Sequence, residues 1–256
     1  MKDFYRLLNY EIRNIFKFVL AICILAIISP IVFLNIAIKD GVNLYQPFEF
    51  IYASSGCIIL FVIYLVLMCL TFIYSIYSNY FGSKSIYTLL TLPIRRELVY
   101  LSKLISFFIS FAAFLSAQLI SILLGYWFVA SHIAALEEGK YLMTNGLFLS
   151  FVRSDFLRII LPLGLESAVS TISLFTTLLC GLYYGALCER SRRYWGFFPI
   201  GGAVFIMISL LNYRINQRMY VTDYRSMYLQ SLVLFLFSVF FVWHSIKIFK
   251  KSAVAE

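Results

Sequence analysis

Apolar residues fall in long runs separated by short polar caps, and this spacing carries most of what the sequence says. Six runs, at about 18–38, 50–77, 99–130, 159–187, 196–211 and 227–249, are separated by stretches holding nearly all the charge. A helix rises 1.5 Å per residue, so the first run covers about 31 Å, close to the ~30 Å of bilayer hydrocarbon. The fifth run is shorter and reaches only about 24 Å. Each run predicts a transmembrane helix, with Pro30 predicting a kink in the first. The predicted fold class is all-α: a polytopic membrane protein with six transmembrane helices and a single membrane domain over 1–256.

Ahead of the first run, residues 1–17 place Phe4, Leu8, Ile12, Ile15 and Phe16 at helical spacing, with Lys2, Arg6, Arg13 and Lys17 around the remainder. A basic amphipathic helix of this kind lies in the membrane interface. The alternative is that it extends the first span into water. The sequence is read as carrying no cleavable signal peptide, because the apolar run is too long for one and lacks a small-residue cleavage site.

Composition agrees with this class. The chain has 256 residues, 62% hydrophobic and only 13% charged, too few polar residues to cover a soluble globule. The net charge of +9 sits in caps between apolar runs, where it sets topology, so nucleic-acid binding is not expected. Lys and Arg number fourteen on the side holding the N-terminus, 78–103, 189–195 and the C-terminus, against seven on the other. The positive-inside rule then places both termini in the cytoplasm. The five cysteines lie in or at the ends of apolar runs and read as small buried residues.

One interruption has a pattern of its own. Ser78 to Lys103, SNYFGSKSIYTLLTLPIRRELVYLSK, opens on turn-forming residues and continues as a short amphipathic segment, Ile86 to Leu92. Pro93 ends that segment, because it cannot continue a helix and restricts the residue before it. Arg95, Arg96 and Glu97 lead into the third run. The pattern predicts a short helix held at the cytoplasmic membrane surface.

Six spans with this loop resemble a permease subunit of the ABC-2-type exporters. The segment Tyr80 to Ser106 is similar to the family's coupling region, with Gly82–Ser83 as the turn, Leu89–Leu90 on the helix, Leu92–Pro93–Ile94 as the step, Arg95–Arg96 after it, and Lys103 opening the third span. Lys84 with the TLPIRR pattern looks closest to small permeases of peptide-toxin and antimicrobial-peptide exporters. The chain departs from the family in having Asn79 and Tyr80 where many members carry an acidic residue before the turn, and in the short fifth run.

The resemblance implies a bacterial plasma-membrane protein paired with a second permease, as a homodimer or with a paralogue. It implies a separate ABC ATPase that binds ATP and magnesium. It also implies that residues 78–98 form the coupling region. Ser83, Lys84, Ile86, Leu89, Leu90, Leu92, Pro93, Arg95 and Arg96 would then meet the ATPase, the apolar ones filling a groove on it. Arg95, Arg96 and Lys84 would pair with its acidic residues or with anionic lipid. The sequence itself holds no G-x-x-x-x-G-K-[ST] phosphate loop, so energy would enter from the other chain. The implied cargo is an amphipathic or antimicrobial peptide. A drug, a lipid, a lipid-linked glycan or a non-transporting immunity or sensor role are the alternatives.

Glu166 is the one acidic residue inside an apolar run. Such a group faces a cavity or a partner. It either lines the outward part of a translocation path or pairs with Arg158 or Arg153 near the interface. Ser170, Thr171, Ser173, Thr176 and Thr177 are expected to bond backbone carbonyls or a neighbouring helix rather than line a path. The pair Tyr183–Tyr184 is open between the aromatic belt and a path. An intramembrane enzyme is disfavoured, because Glu166 has no His, Asp or second Glu beside it in a recognisable motif.

Overall fold

The computed structural model describes residues 2–39, 46–81, 96–136, 146–192, 194–216 and 224–250. Among these, the chain is helical and no strand forms. In order, the helices are α1 (Lys2–Lys39), α2 (Phe48–Ser54), α3 (Cys57–Phe81), α4 (Arg96–Leu136), α5 (Gly146–Arg153), α6 (Asp155–Ile160), α7 (Leu165–Arg190), α8 (Phe197–Asn216) and α9 (Tyr224–Lys250), with a 3₁₀ turn at Tyr194–Gly196 before α8. Six of them, α1, α3, α4, α7, α8 and α9, are long and apolar enough to cross a membrane. Large apolar side chains lie exposed along all six, from Leu25 in α1 to Phe235 in α9. Only lipid makes that arrangement stable, because in water such patches drive association.

Four boundaries differ from those the apolar runs predict. Residues 2–17 do not form an element apart: α1 is one helix of 38 residues running through Pro30. Its buried stripe is Leu7, Glu11, Ile15, Val19 and Ile22, not the face through Phe4, Leu8 and Phe16. The second run is broken at Gly56, which has φ 79°, a left-handed conformation that glycine adopts without steric cost. The residues before it form the separate helix α2. The fourth run is broken at 161–164 around Pro162, so α6 ends at Ile160 and α7 begins at Leu165. The fifth helix is longer than its apolar run, because α8 continues through Asn212, Tyr213 and Arg214.

The chain forms two compact units. One comprises 1–17, 69–111 and 164–256, the other 18–68 and 112–163. In the first, aromatic rings form a column: Phe72 of α3 stacks on Phe107 of α4 at 4.6 Å, Phe107 meets Tyr183 of α7 at 5.8 Å, Tyr183 stacks on Tyr100 at 4.8 Å, and Tyr100 meets Phe249 of α9 at 5.8 Å. Each such pair contributes about 0.5–1.5 kcal/mol beyond area burial.

Helices α7 and α9 share the most extensive contact of this unit. The buried side of α9 repeats every seven residues, with Met227, Leu234, Phe241 and Ile248 alternating with Ser231, Ser238 and Ser245. The serines are small enough for close helix approach. Ser231 and Ser238 return their hydroxyls to carbonyls of their own helix, those of Met227 and Phe235, so the seam carries no unmet donor from them.

In the second unit, the short helices α2, α5 and α6 pack on one another and on the long ones. Gln118 of α4, 1% exposed, donates to the Tyr52 hydroxyl at 3.0 Å. Ser150 of α5 donates to Glu49 of α2 at 3.0 Å. Phe156 of α6 lies between Tyr52 and Phe61. Gly125 lets Leu34 approach: a Cβ there would come within 2.9 Å of it.

Candidate functional site

The predicted coupling residues Ser83, Lys84, Ile86, Leu89, Leu90, Leu92, Pro93 and Arg95 lie outside the described residues. Arg96 is described and is the first residue of α4, half-buried. What is described is how the two helices flanking that loop are fixed to one another.

The decisive group is Lys103. It sits two turns into α4, on the face that also buries Tyr100, Ser106 and Phe107. Only 4% of it is exposed. Its ammonium donates to the backbone carbonyl of Ser75 in α3 at 2.9 Å. It also lies 3.5 Å from the Glu11 carboxylate of α1, and Glu11 is itself 2% exposed. A lone buried charge would cost several kcal/mol, so each ion is tolerated only because the other is present. One ammonium thus ties α1, α3 and α4 together beside the ends that lead into and out of residues 82–95. Glu11 precedes the first apolar run, and Lys103 stands in the opening turns of the third. The pair therefore lies toward the polar end of this unit.

A second tie joins α3 to α7. The Tyr77 hydroxyl donates to Glu189, which stands in the last turn of α7. Beyond it the chain turns sharply. Ser191 and Arg192 return their amides to the carbonyls of Leu187 and Glu189, and Arg192 takes φ 50°. The 3₁₀ turn at Tyr194–Gly196 then packs against both α7 and α8. Gly196 is required there, since a Cβ would meet Cys188 Sγ and come within 2.9 Å of the Tyr184 hydroxyl.

Tyr183 and Tyr184 are both core residues, 2% and 1% exposed. Tyr184 stacks on Phe241 at 4.9 Å, and its hydroxyl lies 2.9 Å from His244 Nδ1. They belong neither to a belt nor to an open path.

The hydroxyls of α7 behave as helix-to-helix and helix-to-carbonyl bonds. Ser173 donates to the Ser170 carbonyl, Thr176 to that of Ile172, and Thr177 to those of Ser173 and Leu234 of α9. Ser170 and Thr171 accept from Arg214, at 3.4 and 2.8 Å. Arg214 is 7% exposed. It reads as part of a polar loop in the sequence but points into the contact between α8 and α7.

Glu166 stands in the first turn of α7, half-buried, where a carboxylate is favoured by the helix dipole. Arg158, one of the two arginines considered as its partner, pairs with Asp155 in its own helix.

Comparison with protein-family models, with curated proteins and with solved structures finds no match to this chain.

Glu11 and Arg214 are the residues that sequence reasoning missed, and Lys103, read there as the basic residue opening the third span, proves to be a buried ion-pair partner. Their signal was present in part: each stands in register with buried neighbours four residues away, Leu7 and Ile15, Val99 and Phe107, and Leu210.

Proposed function

We propose that the chain is the membrane subunit of an ATP-driven exporter of ABC-2 type, moving an amphipathic or antimicrobial peptide. A separate ATPase would drive it through residues 82–95, with both termini and that loop in the cytoplasm of a bacterial cell. A second permease copy would supply the other half of the pathway.

The observation that supports this best is the buried Lys103 tie. A loop can pass displacement into a membrane domain only if the helices on either side of it are firmly joined. Lys103 holds α4 to the Ser75 carbonyl of α3 and to Glu11 of α1. Breaking such a pair costs about 3–5 kcal/mol, so a push on the loop would move three helices as one piece before the joint opened. Tyr77 with Glu189 extends the same end to α7.

In this mechanism ATP binding draws two ATPases together, and the short segment Ile86–Leu92 transmits that motion. The apolar Leu89 and Leu90 would seat in a groove on the ATPase. The first test is to purify the chain from its native membrane with any ABC ATPase that accompanies it and measure stimulation of ATP hydrolysis. Replacing both Leu89 and Leu90 by Asp should abolish the stimulation. Full stimulation by that variant would overturn the coupling role.

A further inference from the structure

A cleft of about 310 Å³ opens between α3, α7, α8 and α9, wholly within the first unit. One wall is a single face of α7. Thr177, Gly181, Gly185 and Glu189 line it at four-residue steps, so they stack along about 18 Å of helix. The facing wall is α8, through Phe197, Ile200, Val204 and Met207. The two glycines give the cleft its depth. A Cβ at Gly185 would already stand 3.4 Å from Ile200, and one at Gly181 3.6 Å from Phe241.

Polar character is confined to one end. The Thr177 hydroxyl is spent on the Ser173 and Leu234 carbonyls. At the opposite end stands Glu189, the sole charged residue among the described residues that line the cleft, with the Tyr77 hydroxyl on its carboxylate. Glu189 is exposed and can meet a further partner. The shape is a narrow apolar trough ending in an acid.

Size decides what can lie in it. An α-helix with its side chains is about 10–12 Å wide, and an 18 Å length of it fills on the order of 1,400 Å³ or more. That exceeds even the whole empty space of the cleft, about 810 Å³. A single alkyl chain fits: one water-sized group needs about 10–15 Å³ of the volume open to a probe, so the cleft takes a chain of a dozen carbons. Charge decides the head. A carboxylate at the mouth selects a cation. Arg190, in the last turn of α7, and Arg192, beyond its Ser191 cap, do not line the cleft. Their positive charge opposes a second cation nearby, so the head must be a compact ammonium that reaches Glu189 from inside the trough.

We propose that this cleft binds a single-chain cationic amphiphile, with its alkyl tail along Gly181 and Gly185 and its ammonium on Glu189. The inference requires only that these four helices span a membrane, and it stands or falls apart from any ATPase.

The test uses the full chain in nanodiscs of neutral phosphatidylcholine. Three twelve-carbon probes carry the same diazirine in the tail and differ only in the head: ammonium, carboxylate or phosphate. After photolysis, mass spectrometry maps the labelled residues. An exposed ion pair is worth up to about fivefold in affinity. The ammonium probe should therefore label cleft residues of α7 and α8 about fivefold more than the carboxylate probe. Glu189→Gln should bring that ratio close to one while leaving the tail sites unchanged. Gly181→Leu, which fills the trough, should remove most cleft labelling by every probe. Gly201→Leu, where a Cβ meets nothing within 4 Å, should not. Equal labelling by the three heads in the unaltered protein would overturn the proposal, as would preference for the phosphate probe. Undiminished labelling in a folded Gly181→Leu protein would overturn it too, and if that variant does not fold the Glu189→Gln ratio decides alone.

Discussion

Removing one member of the Glu11–Lys103 pair is the sharpest perturbation of this architecture. Glu11→Gln leaves the Lys103 ammonium buried with the Ser75 carbonyl 2.9 Å away but no carboxylate to balance its charge. Side-chain exposures of 5% and 3% leave little water to compensate. Breaking a buried pair from one side costs about 3–5 kcal/mol, whereas replacing both members by apolar residues of similar volume is often neutral or stabilising by about 1–4 kcal/mol. Glu11→Gln and Lys103→Met are therefore each expected to destabilise by about 3–5 kcal/mol, and the double variant Glu11→Leu with Lys103→Met by less than either single one. The coupling energy follows from the cycle completed with Glu11→Leu alone, since contacting residues do not add. Reversible unfolding in mixed micelles, titrated with a denaturing detergent and followed by circular dichroism, measures all four. Single variants that each cost less than about 1 kcal/mol would refute the reasoning, and so would a double variant as damaging as the sum of its parts.

Other consequences follow from the same contacts. Thr171→Val removes the nearer acceptor of Arg214. A hydrogen bond to a charged group is worth about 1.5–3 kcal/mol, and the same titration should show a loss of that size, against a few tenths for Thr176→Val, whose hydroxyl serves only its own helix. Gly196→Ala pushes a methyl group into Cys188 and Tyr184 and should cost about 1–3 kcal/mol by overpacking. Adding Cys188→Ala, which removes the sulfur, should restore part of that loss, and unfolding of the single and double variants measures it.

The six membrane helices were legible because lipid solvation is a property of composition along one segment: an apolar run of sufficient length forms a span whatever its neighbours do. What was not legible depends on partners or on single backbone angles. Nothing in the run 50–77 marks Gly56 more strongly than other span glycines, yet its left-handed φ ends α2 there. Pro162 and Gly164 lie just before Glu166, but the apolar residues on both sides concealed a complete break. In α1 the buried stripe is Leu7, Glu11 and Ile15, a face that the apolar spacing of Phe4, Leu8 and Phe16 did not single out because Glu11 stands in it. Lys103 reads as a topogenic charge from sequence, because nothing local reveals that a carboxylate 92 residues earlier is folded against it. Arg214 is the same case, a loop arginine by composition and a helix-contact arginine by structure. The serine and threonine bonds of α7 were legible, since hydroxyls in a membrane helix have few alternatives to a carbonyl. The residues from Ser83 to Arg95 on which the coupling reading was first built lie outside the described residues, so their role is carried forward as a proposal supported by the ties around them.

The central claim is that a separate ATPase drives this chain through the loop between α3 and α4. Inverted membrane vesicles containing the chain and an ABC ATPase that copurifies with it test it most directly, with a cationic amphipathic peptide as cargo. Uptake should require ATP and both proteins, and should fall to background when Leu89 and Leu90 are replaced by Asp while the complex remains in the membrane. ATP-independent uptake, or uptake unchanged by that replacement, would contradict the account.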